Sequence, residues 1–207
     1  IAEMPLLTLE KLHLQANIQS RARKQEEHLH EYLEVIPQQG FNMLPEPSQG
    51  DIWFDIEGDA HIGGDGLEYL FGWSYLQEGA LEYKEEWANN RSEEKRALEC
   101  FIQAVVDLRQ QYPDMHVYHF GHYETTVIKR LSTRYNTMVD AVDDLLRNEV
   151  FVDLHRVVKT GLRLSVESYG LKYLEAHYGF ERATDLGAAG SARKKVALLL
   201  DQQVILD

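Results

Sequence analysis

The chain has 207 residues, with 21 Lys+Arg against 34 Asp+Glu and a formal net charge of −13. A hydrophobic share of 44% with 27% charged residues excludes wholesale disorder, and the length suits one domain plus an extension. The single cysteine, Cys100, excludes an internal disulfide framework and a four-cysteine zinc site, and with no apolar run near ~20 residues and no signal-peptide pattern the expected setting is cytoplasmic, with no membrane partner.

In chain order, Thr8 to about Ile36 lacks glycine and proline and predicts one helix or two, although the polar middle from Gln19 to His28 cannot line a core. Phe41–Gly50, with two prolines, reads as a linker. Asp51–Glu57 alternates as a strand. A Gly-rich turn at Ile62–Gly66 leads to Leu67–Leu76, which forms a hairpin with Leu81–Trp87. A helix capped by Ser92 runs to a stop before Pro113, and Met115–Phe120 is a short strand. Tyr123–Tyr135 and Val139–Arg147 predict helices, and Phe151–Leu154 a fifth strand. Val166–Tyr178 predicts a helix ended by Gly179. Ala188–Ala192 reads as a loop and Lys194–Leu206 as a last helix. The expected fold is therefore α/β: a mixed sheet of about five strands covered by helices. The expected organisation is a helical connector and linker over residues 1–50, then a domain over 51–207.

The chemistry gathers on the first strand. Side chains alternate along a strand, so Ile52, Phe54 and Ile56 face a core while Asp55 and Glu57 share the other face. Two neighbouring carboxylates repel, and hard divalent cations relieve that repulsion through oxygen ligands. A half-exposed strand with a solvated polar face is the plainer explanation of Asp-x-Glu alone. Val117–Phe120 then runs through Gly121-His122-Tyr123-Glu124 into a helix. Sites of α/β sheets gather beyond strand carboxyl ends, so if the two strands are parallel neighbours Glu124 is placed to approach Asp55 and Glu57. Its ordinary role would be a first-turn acid favoured by the helix dipole.

In this order, Phe54-Asp55-Ile56-Glu57, a hairpin, a helix, Val117–Phe120 with His122-Tyr123-Glu124, Phe151–Leu154 and Ser168–Lys172 resemble the ribonuclease-H-like, DEDD-type 3′–5′ exonucleases. Leu44–Pro47, Gly50–Asp59 and Gly66–Gly72 resemble the predicted RecB-family nucleases, in which such a domain follows a RecB-like nuclease domain. The resemblance implies a ribonuclease-H-like sheet with helices on both faces. It implies two Mg²⁺ or Mn²⁺ ions held by Asp55, Glu57 and Glu124 as catalytic and metal-binding residues. It also implies a nucleic-acid substrate, with single-stranded DNA favoured over RNA, and a neighbouring RecB-like domain as partner. Glu124 stands where the family's second motif has Asp. The third motif is absent up to Asp207, so the fourth ligand and the general base are expected outside these residues and the domain is expected to be truncated.

Around this set, His119, His122, Tyr123 and Lys172 are candidates for substrate contact. His116, His119 and His122 alternate faces on a strand and so cannot share one zinc. Arg193-Lys194-Lys195 is suited to phosphate contact or to a solvated helix start. The rival functional class is a catalytically inactive nucleic-acid-binding or scaffolding domain of a larger RecB-like nuclease, and the net charge favours it. A carboxylate-pair glycosidase ranks third, because such strands usually belong to barrels of ~250 residues.

Overall fold

A computed structural model describes residues 4–182 and 186–202. In chain order the elements begin with α1 (Leu6–Gln25), β1 (His30–Tyr32), β2 (Ile52–Asp59), β3 (Leu67–Gln77) and β4 (Ala80–Trp87). There follow α2 (Arg91–Gln111), β5 (Val117–His119), α3 (Tyr123–Tyr135), α4 (Val139–Arg147) and β6 (Phe151–Asp153). The last are α5 (Leu154–Gly161), β7 (Leu162–Leu164), α6 (Leu171–Tyr178) and α7 (Leu186–Asp201). They fall into two compact units, Ile1–Leu44 with His155–Ala183, and Pro45–Leu154 with Thr184–Asp207.

In the first unit β1 pairs antiparallel with β7, and Glu31 lies opposite Arg163. Glu31 accepts from Arg163 at 2.8 Å and from Arg21 of α1 at 2.7 Å. The side chains of Gln15 and Gln19 donate to the carbonyls of Leu164 and Val166, at 2.8 and 2.9 Å. The polar stretch of α1 thus satisfies backbone groups that would otherwise need water, while Ile18 and Ala22 bury.

The second unit holds a five-stranded sheet of order β4-β3-β2-β5-β6. β2–β3 and β3–β4 are antiparallel, and β2–β5 and β5–β6 are parallel. Ile52, Phe54 and Ile56 of β2 join Phe71 and Trp73 of β3 against α2, α3 and α4, through Leu98, Phe101, Ile102, Ile128, Leu131 and Leu145. Phe54 and Phe101 stack at 3.7 Å with ring planes 9° apart. Ile62, Leu67 and Tyr69 form a smaller cluster with Leu200 of α7. This is the mixed α/β architecture expected from the sequence, hairpin first and parallel strands after.

Several elements differ from expectation. The helix expected over Thr8–Ile36 stops at Gln25, where Glu26 turns left-handed at φ 54. The chain beyond it pairs with β7 instead, with Leu33 N–H donating to Gly161 and Ser165 N–H to Leu29. That pairing spans more than a hundred residues and leaves no local pattern. Helix α6 is only the second half of the expected Val166–Tyr178, because Tyr169 turns its hydroxyl onto the backbone of Leu162 and Leu164. Helix α5 and strand β7 were not expected at all, and Ala188–Ala192 lies inside α7 rather than in a loop. The cap of α2 is Asn90, whose side chain accepts from the N–H groups of Ser92 and Glu93 at 3.0 and 3.1 Å. The expected last helix is seen to Asp201, and its end over 203–206 lies outside the described residues.

Candidate metal centre

On β2 the alternation is observed: Ile52, Phe54 and Ile56 are buried, while Trp53 and Asp55 keep access to solvent and Glu57 is partly covered. Asp55 lies opposite Gly72 of β3. Tyr83 of β4 lays its hydroxyl over Gly72, where a Cβ would come within 2.5 Å of it. Burial, Glu85 and Asp55 raise the pKa of that hydroxyl.

Strand β5 runs parallel to β2, so its carboxyl end points toward the same edge of the sheet as that of β2. Gly121 turns the chain there at φ +107, a region that L side chains rarely adopt. Its N–H donates to Asp153 Oδ1 at 2.9 Å, tying the turn to β6. Helix α3 starts two residues later and places Glu124, 3% exposed, in its first turn. There the carboxylate meets Asp55.

The electrostatic consequence is large. Asp55 is reachable by water yet surrounded by the mass of the fold. Desolvation, then the Glu124 and Glu57 charges and a hydrogen bond with Glu124, raise its pKa from 3.8 to about 6. Asp55 therefore holds its proton until the pH rises through that value. Glu124 Oε2 is buried without a hydrogen-bond partner, as is His119 Nδ1 3.4 Å away. Buried acceptors are normally satisfied. Glu57 pairs with Arg193 of α7 at 3.3 Å.

The remaining candidates separate. His119 is buried and packs its ring edge-on to Phe151. His122 is exposed at the entrance to α3 without a side-chain cap. Tyr123 donates to Glu68 Oε2 at 2.7 Å, and burial and Glu68 raise its pKa well above that of free tyrosine. Lys172 belongs to the other unit, on α6, with its ammonium over Tyr173. Among the described residues no group of three His, Cys, Asp or Glu side chains is arranged to hold a metal ion. What the site offers is a close Asp55–Glu124 pair with one orphaned carboxylate oxygen, and Glu57 beside it. Hard oxygen donors, one of them buried without a hydrogen-bond partner, are of the kind that Mg²⁺ or Mn²⁺ takes. Glu68 and Tyr83 carried no signal in the sequence, since cross-strand placement alone brings them to the site.

A hairpin-led five-stranded mixed sheet, with acids along its central strand and just past the parallel strand beside it, defines a ribonuclease-H-like domain. A family model described as RNase_H superfamily matches residues 52–194, well over half of the chain. The chain belongs to the RNase_H superfamily, whose members are generally nucleic-acid-cleaving nucleases. No curated protein and no solved structure matches it. No described helix is long and apolar enough to cross a membrane.

Proposed function

We propose that this chain is a metal-dependent nuclease domain that hydrolyses nucleic-acid phosphodiesters. In this reading it is a 3′–5′ exonuclease of the DEDD type acting on single-stranded DNA in preference to RNA, beside a RecB-like domain. Residues 51–207 form the nuclease part and residues 1–50 a connector. One observation carries the reading: Asp55 and Glu124, from different elements, come close enough for Glu124 to raise the Asp55 pKa, and a buried Glu124 oxygen has no hydrogen-bond partner. Asp55, Glu57 and Glu124 would hold two Mg²⁺ or Mn²⁺ ions. Bound there, the ions supply Lewis acidity, lowering the pKa of a water and neutralising charge on the leaving oxygen. The residues themselves provide three things. Asp55 gives up its proton as the pH rises through about 6 and becomes a full anion. Tyr123, held by Glu68, fixes the turn that carries Glu124. His122 and the partly exposed Tyr123 are open to an incoming strand at the start of α3.

A second reading, a non-catalytic nucleic-acid-binding or scaffolding domain, draws on Arg193. Its guanidinium already neutralises Glu57. Titration calorimetry with Mn²⁺, on this chain and on Asp55→Asn, separates the two. Binding that disappears in the variant supports the metal-dependent reading. Equal binding by both proteins, or DNA binding that ignores EDTA and Asp55→Asn alike, supports the second.

A further inference from the structure

A carboxylate outside the candidate ligand set ties its parts together. Glu68, on β3, is 5% exposed. Its Oε2 accepts from the Tyr123 hydroxyl at 2.7 Å, and its Oε1 accepts from the Arg130 guanidinium. Tyr123 immediately precedes Glu124, and Arg130 lies two turns further along α3. Both partners therefore lie on one face of the helix that presents Glu124.

The other end of the contact lies on β2. Gly58 faces Glu68 in the ladder, at a bulge between Glu57 and Gly58. A Cβ on Gly58 would stand 1.8 Å from Glu68 Oε2 and 2.6 Å from its Cδ. Glu68 thus reaches α3 only through the space that the missing side chain leaves, one residue beyond Glu57. The Glu68 backbone N–H in turn donates to Glu94 Oε1 at 2.6 Å, and Glu94 is fully buried among Arg91, Arg134 and Tyr135. Carboxylates of β3 and α2 fasten α3 along its length, at Tyr123, Arg130, Arg134 and Tyr135.

We propose that Glu68 is a positioning residue for the metal centre: seated over Gly58, it holds the Tyr123–Glu124 turn against the Asp55–Glu57 strand. This rests on the metal-binding reading given above. A carboxylate salt-bridged to Arg130 and hydrogen-bonded to Tyr123 keeps its two oxygens committed to α3, so Glu68 acts through Glu124 and does not itself ligate.

The test is Mn²⁺ titration calorimetry at 25 °C with thermal melts of the same samples, on the full 207-residue chain. The variants are Glu68→Gln, Glu68→Ala, Gly58→Ala and the Gly58→Ala/Glu68→Ala double. Leu145→Ala, in the core on α4, serves as a destabilised control. Loss of an orienting outer residue typically weakens metal binding about 10–100-fold, so Glu68→Ala and Gly58→Ala are expected to lose at least about tenfold in affinity. Glu68→Gln keeps an acceptor for Tyr123 and loses the charge facing Arg130, so it falls between them and the wild type. Gly58→Ala is harmful only because it meets the Glu68 carboxyl, so the double variant is expected to match Glu68→Ala alone. Leu145→Ala is expected to melt lower with unchanged affinity. Affinity within twofold of wild type in Glu68→Ala, or additive losses in the double variant, would overturn the proposal while leaving the metal centre standing. Asp55→Asn, run alongside, isolates the other failure: if it binds as well as the wild type, the metal-centre reading falls and this inference with it.

Discussion

Replacing Asp55 with asparagine is expected to stabilise the metal-free protein near neutral pH. In the folded chain the Asp55 pKa stands at about 6 against an ordinary value of 3.8, chiefly from desolvation and then from Glu124 and Glu57. A group whose folded pKa is raised favours the folded state while it is protonated. That contribution is complete below about pH 4 and is lost as the pH rises through about 6. The gap of about two units, at ~1.4 kcal/mol each, sets a ceiling of about 3 kcal/mol. Asp55 keeps more than a third of its surface in water, so screening reduces the effect to about 1 kcal/mol at pH 7.5. Asparagine removes the charge and keeps a donor toward Glu124. In a protein of this size about 1 kcal/mol corresponds to a Tm gain of ~2–4 °C. Circular-dichroism melts in EDTA from pH 4 to pH 8 would show the variant overtaking the wild type between pH 4 and 7, with a constant lead above. Saturating Mn²⁺ is expected to raise the wild-type Tm by mass action and to leave the variant unmoved. An advantage that is absent at pH 7.5, or that is largest at pH 4, would refute the electrostatic account of the pair.

Two further outcomes follow from the scaffold. Glu94→Ala strands a buried cluster of Arg91, Arg134, the Tyr135 hydroxyl and the Glu68 N–H, and is expected to cost about 3–5 kcal/mol in urea unfolding. Asn90→Ala leaves the first N–H groups of α2 uncapped, and is expected to cost about 1 kcal/mol by the same assay with an unchanged denaturant slope.

Much of the second unit was readable from short-range pattern. The alternation of Ile52, Phe54 and Ile56 with Asp55 and Glu57 fixes which residues can be core and which can carry charge, because a strand's period is two. The spacing of Leu98, Phe101, Ile102 and Val105 does the same for α2. The first unit was far less readable. Strands β1 and β7 have three residues each and pair across more than a hundred residues of sequence. Nothing local in His30-Glu31-Tyr32 distinguishes it from the continuation of a polar helix. Likewise the small residues of Ala188–Ala192 read as a loop, yet the stretch is helical, since its alanines favour helix.

At the site the division is similar. Asp55, Glu57 and Glu124 are visible in the sequence as acids at a strand and at a strand-to-helix junction. Their meeting depends on β5 lying parallel to β2, and on Gly121 turning the chain at a φ that L side chains rarely adopt. Tyr83 and Arg193 reach Asp55 and Glu57 from 28 and 136 residues away along the chain, and Glu68 reaches Tyr123 from 55, so no motif spacing encodes them. The sequence by itself determined the periodicities, the charges and the residues able to carry chemistry, because those follow from local backbone geometry and side-chain type. Three-dimensional packing alone brings Glu124 up against Asp55, Glu57 to Arg193, and Glu68 into the notch over Gly58. Those are distances of a few ångströms between groups far apart along the chain, and they are set by strand register and helix packing.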